Sequence, residues 1–294
     1  MPALLPPRAA TPAQLLVIAV ALGMVGVCTA AALIHGSNAL TVVTFRALGM
    51  VAIFLAWFGL AGVRLALSPR ERAIAVGIGV LLSLNNYALN TAIELIPLPL
   101  AILVFYLWPA LTTAASWALR RERFNGRGLA GLALAFVGVA LTLNVELGAA
   151  QARGVALAAF SAVAWSAVFL LTDHFFRGRD TRPVNLWMIG TAAVLFSAAL
   201  AITGDLALPR GLAGWTGFAG VPFFYAFGVI GLFAATSQLG PAKVGFYMNF
   251  EPIASVMLAA ALLGQKLAPV QLAGAALVIA ALFLFRPPAK PRAS

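Results

Sequence analysis

The sequence predicts an all-α integral membrane protein: ten transmembrane helices arranged as two inverted five-helix repeats. Three observations carry this. The first is composition. Of 294 residues, 63% are hydrophobic and 9% charged, with a mean hydropathy of +1.01; a soluble domain is about 25% charged. The second is the placement of cations. Of 19 Lys and Arg residues, 15 fall in alternate intervals between apolar stretches: Arg8; Arg64, Arg70 and Arg72; Arg120, Arg121, Arg123 and Arg127; Arg177, Arg179 and Arg182; Lys243; and Arg286, Lys290 and Arg292. The other intervals hold Arg153, Arg210 and Lys266, and Arg46 lies inside an apolar stretch. Short loops rich in Lys and Arg stay in the cytoplasm, so the number of spans is even and both termini are cytoplasmic. The third is internal repetition. A shift of 143 residues lays Ala92–Leu134 on Ala235–Leu277 without a gap, with Pro109 on Pro252, Arg123 on Lys266 and Gly131 on Gly274. The shift carries five helices, an odd number, so the halves 1–150 and 151–294 cross the membrane in opposite senses.

Each span follows from a run of about 20 apolar residues, the length that crosses the hydrocarbon core. The first, 14–34, follows a Pro-rich leader and is too long for the apolar region of a signal peptide, so it is a retained helix. It contains the lone Cys28, read as a packing residue, and a disulfide scaffold is excluded. His35 at its outer end is expected to be solvated. The second span, 39–61, carries Phe45-Arg46 near its start; Arg46 either pairs with a membrane acid or snorkels to the outer surface. The third, 73–95, holds Ser83, Asn86, Asn90 and Glu94 at steps of 3, 4 and 4, one helical face, with Tyr87 alongside. Polar groups avoid hydrocarbon, so this stripe lines a cavity or hydrogen-bonds a neighbouring helix. The fourth, 98–119, has Tyr106 and Trp108 before Pro109 near its middle, and the fifth is 128–146. The sixth, 153–172, has a central Trp165, and the seventh is 184–203. The eighth, 216–237, sets Ala226, Val229, Phe233 and Ser237 where the third helix has its polar stripe. The ninth, 242–263, places Tyr247, Asn249 and Glu251 before Pro252, and 269–286 completes the set. Loops are short, so consecutive helices are antiparallel neighbours.

The chemistry these residues imply is recognition rather than catalysis. A proline removes a backbone hydrogen bond and bends a helix, and freed carbonyls are tolerated at mid-membrane where they line a cavity. Pro109 and Pro252 are therefore expected to act as equivalent hinges. Trp57, Trp187 and Trp215 near helix ends suit an interfacial belt, whereas Tyr106, Trp108 and Trp165 are central and suit either a cavity wall or core packing. Glu251 can bind a substrate ammonium, carry a proton or pair with Arg46. The candidate substrate-binding set is Asn86, Asn90, Tyr106, Trp108, Trp165 and Glu251, all in one central cavity. Neither His35 nor His174 has a second ligand at metal spacing, so no metal site, cofactor or catalytic residue is expected. HExxH, GxxxxGK and GxSxG signatures do not occur. The net charge of +11 lies in short loops, which fits topology and anionic lipid rather than nucleic acid. Inverted repeats mark secondary transporters, with a site near the bilayer midplane.

The same residues carry a resemblance. Asn249-Phe250-Glu251-Pro252, Gly264-Gln265-Lys266, Gln271-Leu272-Ala273-Gly274, Phe45-Arg46 and Ala164-Trp165-Ser166 after Gly154, in this order and spacing, resemble the drug/metabolite transporter superfamily. The match is to its ten-helix, EamA-type members, and among them to the YddG-type amino-acid exporters. Val25-Gly26 departs from the Trp-Gly of the first helix, and Gly264-Gln265 from the Gly-Glu after the ninth. The resemblance implies a multi-pass inner-membrane protein, monomeric or oligomeric, that exports amino acids, including aromatic ones. The alternatives are a carrier of a drug, nucleoside or sugar phosphate in the same superfamily, and an intramembrane lipid-modifying enzyme or scramblase.

Overall fold

The computed structural model describes residues 11–62, 66–118, 126–142, 149–176, 180–239, 248, 250–265 and 268–284. Lys243, Tyr247, Asn249, Lys266, the C-terminal cations and those of 119–125 and 177–179 lie outside the described residues, as do the side chains of Pro109, Phe233 and Ser237. The described residues form helices and turns: α1 (Pro12–Ile34), α2 (Ala39–Ala61), α3 (Pro69–Leu95), α4 (Leu98–Phe105), α5 (Trp108–Ala118), α6 (Gly126–Thr142), α7 (Ala149–Phe176), α8 (Thr181–Thr203), α9 (Gly211–Leu239), α10 (Glu251–Leu263) and α11 (Pro269–Leu284). Six of them, α1, α2, α3, α7, α8 and α9, are long and apolar enough to cross a membrane.

Apolar runs find the interiors of these helices and miss their polar first turns. α3 starts at Pro69, ahead of the predicted Ala73, because Ser68 accepts from the Glu71 backbone N–H while the Glu71 carboxylate accepts from Ser68 N. This capping box satisfies two of the four orphan donors of a helix start. Thr11 and Gln14 do the same for α1. Asp180 caps α8, and hydrogen bonds from Arg182 hold its carboxyl below the usual carboxylate range. One prediction needs correction in kind. The expected single helix 98–119 is two helices, α4 and α5, with a break at Tyr106 and Leu107.

Among the described residues the 143-residue shift holds: α1 matches α7, α2 matches α8, α3 matches α9 and α6 matches α11. Packing is reciprocal. α1 lies against α9 as α7 lies against α3, and α3 lies against α8 as α9 lies against α2. The counterparts α2 and α8 touch each other and run antiparallel. At one end, the turns before α2 and after α8 are joined: Asn38 Nδ2 donates to Asp205 O and Ser37 Oγ to Ala207 O, each at 2.8 Å. At the other end, roughly 30 Å along the helices, Leu67 after α2 shares a surface cleft with Asp180, Pro183 and Val184 at the start of α8. Two antiparallel counterparts make the halves inverted. His35, expected to be solvated, belongs to the first of these joints. It is half-buried, its carbonyl accepts from Arg210 N at 2.8 Å, and its Nδ1 stands 2.8 Å from Ala31 O.

Small residues set the closest approaches, as in other helix contacts in lipid. A Cβ on Gly138 of α6 would stand 2.7 Å from the carbonyl oxygen of Gly274 on α11. Two apolar clusters flank the centre. One joins Leu98, Leu103, Ala162 and Ala259 from α4, α7 and α10. The other joins Phe54, Ile78, Val168 and Val184 from α2, α3, α7 and α8.

Candidate functional site

The central site begins at two helix starts. Pro109 is the second residue of α5 and Pro252 the second residue of α10, positions where the missing N–H costs nothing. Before Pro109 the chain tightens: Tyr106 N donates to Ile102 O at 2.9 Å and Leu107 N to Val104 O at 3.1 Å. The bend expected at Pro109 is thus a full interruption. It presents Tyr106 and Trp108 from non-helical or terminal backbone. In the second half, Glu251 takes the place that Trp108 has in the first. The backbone of α10 comes close to α1 there, since a Cβ on Gly23 would lie 3.2 Å from the Glu251 carbonyl oxygen.

Two groups of side chains gather around these starts, and a third lines a cleft that, of the six predicted site residues, only Asn86 reaches. In the first, the Tyr106 hydroxyl and the Glu251 carboxyl lie within hydrogen-bonding reach of each other, across the boundary between halves. In the second, the rings of Trp108 and Trp165 meet edge to face at 6.5 Å, and Phe169 adds a tilted contact with Trp108 at 5.7 Å. The hydroxyls of Thr112 and Ser166 donate to the Trp108 carbonyl at 2.8 and 2.9 Å. In the third, Arg46 and Asn86 line a small cleft with Leu82, Ile189 and Tyr225. The Arg46 guanidinium lies 5.3 Å from the centre of the Tyr225 ring. Tyr225 is within electrostatic reach of both Arg46 and Glu251, which links the third group to the first.

The cleft sits on the pseudo-two-fold axis. Arg46 and Ile189 are counterparts under the 143-residue shift, and so are Leu82 and Tyr225, yet all four line it. Equivalent positions can face one space only where the two halves meet. The chemistry is nonetheless one-sided, because a cation on one half answers an isoleucine on the other. The cleft has room for roughly one water molecule.

The polar stripe of α3 divides among several partners. Asn86 faces the cleft. Asn90 is buried; its Nδ2 donates to Asn86 O at 2.7 Å, and its Oδ1 has no partner among the described residues. Ser83 Oγ donates to Gly79 O of its own helix at 2.7 Å. Glu94 is exposed, and its carboxylate accepts from Ala39 N at 3.1 Å, capping α2. Arg46 pairs with no acid among the described residues, so the Arg46–Glu251 ion pair is not formed. Sequence reasoning missed Asn85, whose amide donates to the carbonyl and hydroxyl of Ser161 at 2.8 Å and pins α3 to α7. It also missed Tyr225, one of only four tyrosines in the chain, which the shift places opposite Leu82.

A family model described as the EamA-like transporter family matches the chain twice, over residues 11–144 and 152–286. No curated protein matches the sequence. A solved crystal structure is similar over 94% of this chain and 96% of its own length, with a TM-score of 0.65 and 18% sequence identity, a likeness of fold.

Proposed function

The chain belongs to the EamA-like transporter family, and from that premise we propose that it exports amino acids, aromatic ones among them, from the cytoplasm by alternating access. Membership makes it a multi-pass membrane protein that moves a small molecule rather than an enzyme. On this reading ten helices span the inner membrane with both termini cytoplasmic, and α4 and α5 together make one broken span. Asn86, Asn90, Tyr106, Trp108, Trp165 and Glu251 line the pathway, and Pro109 and Pro252 mark its hinges.

The observation that carries the proposal is the cleft on the axis between antiparallel halves, lined by counterpart residues from both. A site there can be exposed to either side by rocking one half against the other. The chemistry around it supports a zwitterion with an apolar side chain. Arg46 and Asn86 offer donors in the cleft, Glu251 offers an acid within electrostatic reach of its Tyr225, and Trp108, Trp165 and Phe169 form a cluster of rings outside its lining. A sugar phosphate would call for several cations, and the cleft has one.

Counterflow in sealed proteoliposomes tests this. Vesicles loaded with unlabelled phenylalanine should accumulate labelled phenylalanine against its gradient. Vesicles that move no amino acid but do move a nucleoside or a sugar phosphate would retire the amino-acid reading.

A further inference from the structure

We propose that Arg46, held over the ring of Tyr225 in a cleft that Asn86 also lines, is the subsite for a single carboxylate of the transported molecule, and that it fixes the direction in which that molecule lies. The inference deepens the transport reading above and rests on it.

Arg46 is charged at every accessible pH. It lies in an apolar helix long enough to cross the membrane, where a cation is costly without a partner. Among the described residues it has no ion pair and donates no hydrogen bond, and its guanidinium lies over the face of the Tyr225 ring. A ring face attracts a cation but does not accept the five N–H groups of a guanidinium in their planes. Arg46 lines the cleft. Asn86 lines the same cleft, and its side-chain amide is likewise without a hydrogen bond among the described residues. A cation and an amide that share a cleft and lack acceptors make a site completed by an anion. Guanidinium and carboxylate match as two parallel hydrogen bonds. One cation suits one negative charge, which favours a carboxylate over a doubly charged phosphate.

The direction follows from the missing symmetry. The counterpart of Arg46 is Ile189, so only one side of the axis binds an anion. Glu251 is a second charged group within electrostatic reach of Tyr225. A molecule with a carboxylate toward Arg46 and an ammonium toward Glu251 lies in one orientation.

The test uses the full-length protein in nanodiscs and compares phenylalanine, its methyl ester, phenethylamine and 3-phenylpropionate. In the wild type, phenylalanine should bind roughly tenfold to a hundredfold more tightly than its methyl ester, the range for a charged hydrogen-bonded contact. Equal affinity overturns the proposal without any variant. Arg46→Gln should weaken phenylalanine and 3-phenylpropionate by a similar factor and leave phenethylamine unchanged, and Arg46→Lys should restore part of the loss. If Arg46→Gln weakens all ligands alike, or none, Arg46 is a strut against Tyr225 and the proposal fails. A wild type that binds 3-phenylpropionate through Arg46 but no amino acid would retain the subsite and remove the amino-acid reading. Binding of neither carboxylate removes the subsite itself.

Discussion

Trp108 and Glu251 occupy the same place in the two halves, 143 residues apart, each the first residue of a helix and each followed by a proline. One position in the repeat thus offers an aromatic ring from one half and a carboxylate from the other. Tyr106, two residues before Trp108, crosses to Glu251 and ties the two helix starts together. A symmetric scaffold carries an asymmetric site by changing side chains at fixed backbone positions.

Different losses should follow from removing each member of this pair. Trp108→Ala deletes ring area but no charge recognition, so transport of phenylalanine should fall roughly tenfold while threonine changes less than about twofold. Glu251→Gln should slow both by a similar factor, since both amino acids carry an ammonium. Initial rates in proteoliposomes measure this, and equal losses for both substrates in Trp108→Ala would remove Trp108 from the site.

The prolines can be separated from the side chains they follow. Alanine supplies the missing N–H and lets α4 run into α5, or lets α10 extend backwards. Pro109→Ala and Pro252→Ala should each slow exchange several-fold with phenylalanine affinity within about twofold of wild type, because the barrier between conformations is altered rather than the contacts. Wild-type rates in both would make the prolines structural.

Much of the fold was legible because lipid makes strong demands. Charge placement and a repeat of 143 residues predict inverted halves; the family model matches twice, and α2 and α8 run antiparallel. The site was legible in part. Helical spacing identified the face of α3 that carries Asn86, but spacing does not say which neighbour a face meets, so Glu94 as a cap and Asn85 as a tie to Ser161 went unread. The break at Tyr106 was hidden because residues 98–118 are apolar throughout except for Thr112, Thr113 and Ser116, and hydrophobicity does not register a lost hydrogen bond. Pro222 within α9 also escaped notice; it packs where a Cβ on Gly49 would come within 2.8 Å of it.

Glycine contacts give a stability test with an internal control. A Cβ on Gly138 would stand 2.7 Å from Gly274 O and 2.8 Å from Val278 N, both backbone atoms that cannot swing away. Gly138→Ala should destabilise the protein by about 1–3 kcal/mol. Gly77 on α3 is exposed with nothing within 4 Å of a built Cβ, so Gly77→Ala should be neutral or stabilising by up to about 1 kcal/mol. Thermal unfolding in detergent compares the two, and an unchanged midpoint for Gly138→Ala would contradict the close packing of α6 on α11.

The joint between the two halves makes a last prediction about conformation. His35, Ser37, Asn38 and Thr41 before and within α2 hold the turn of Asp205, Ala207 and Arg210 through contacts of 2.8 to 3.0 Å, sealing one end. The cation pattern assigns this end to the outside. An alkaline phosphatase reporter fused after Ser294 should then be inactive, and activity there would reverse the assignment. Under the proposed export, release to the outside requires the joint to part. Cysteines introduced as Ser37→Cys and Ala207→Cys should be bridged by a membrane-impermeant bis-methanethiosulfonate reagent, each thiolate displacing one sulfinate to form a disulfide, and the bridged protein should stop exchanging substrate until a reductant is added. Exchange that continues unchanged in the bridged protein would mean that this end never opens, and the site would need another exit.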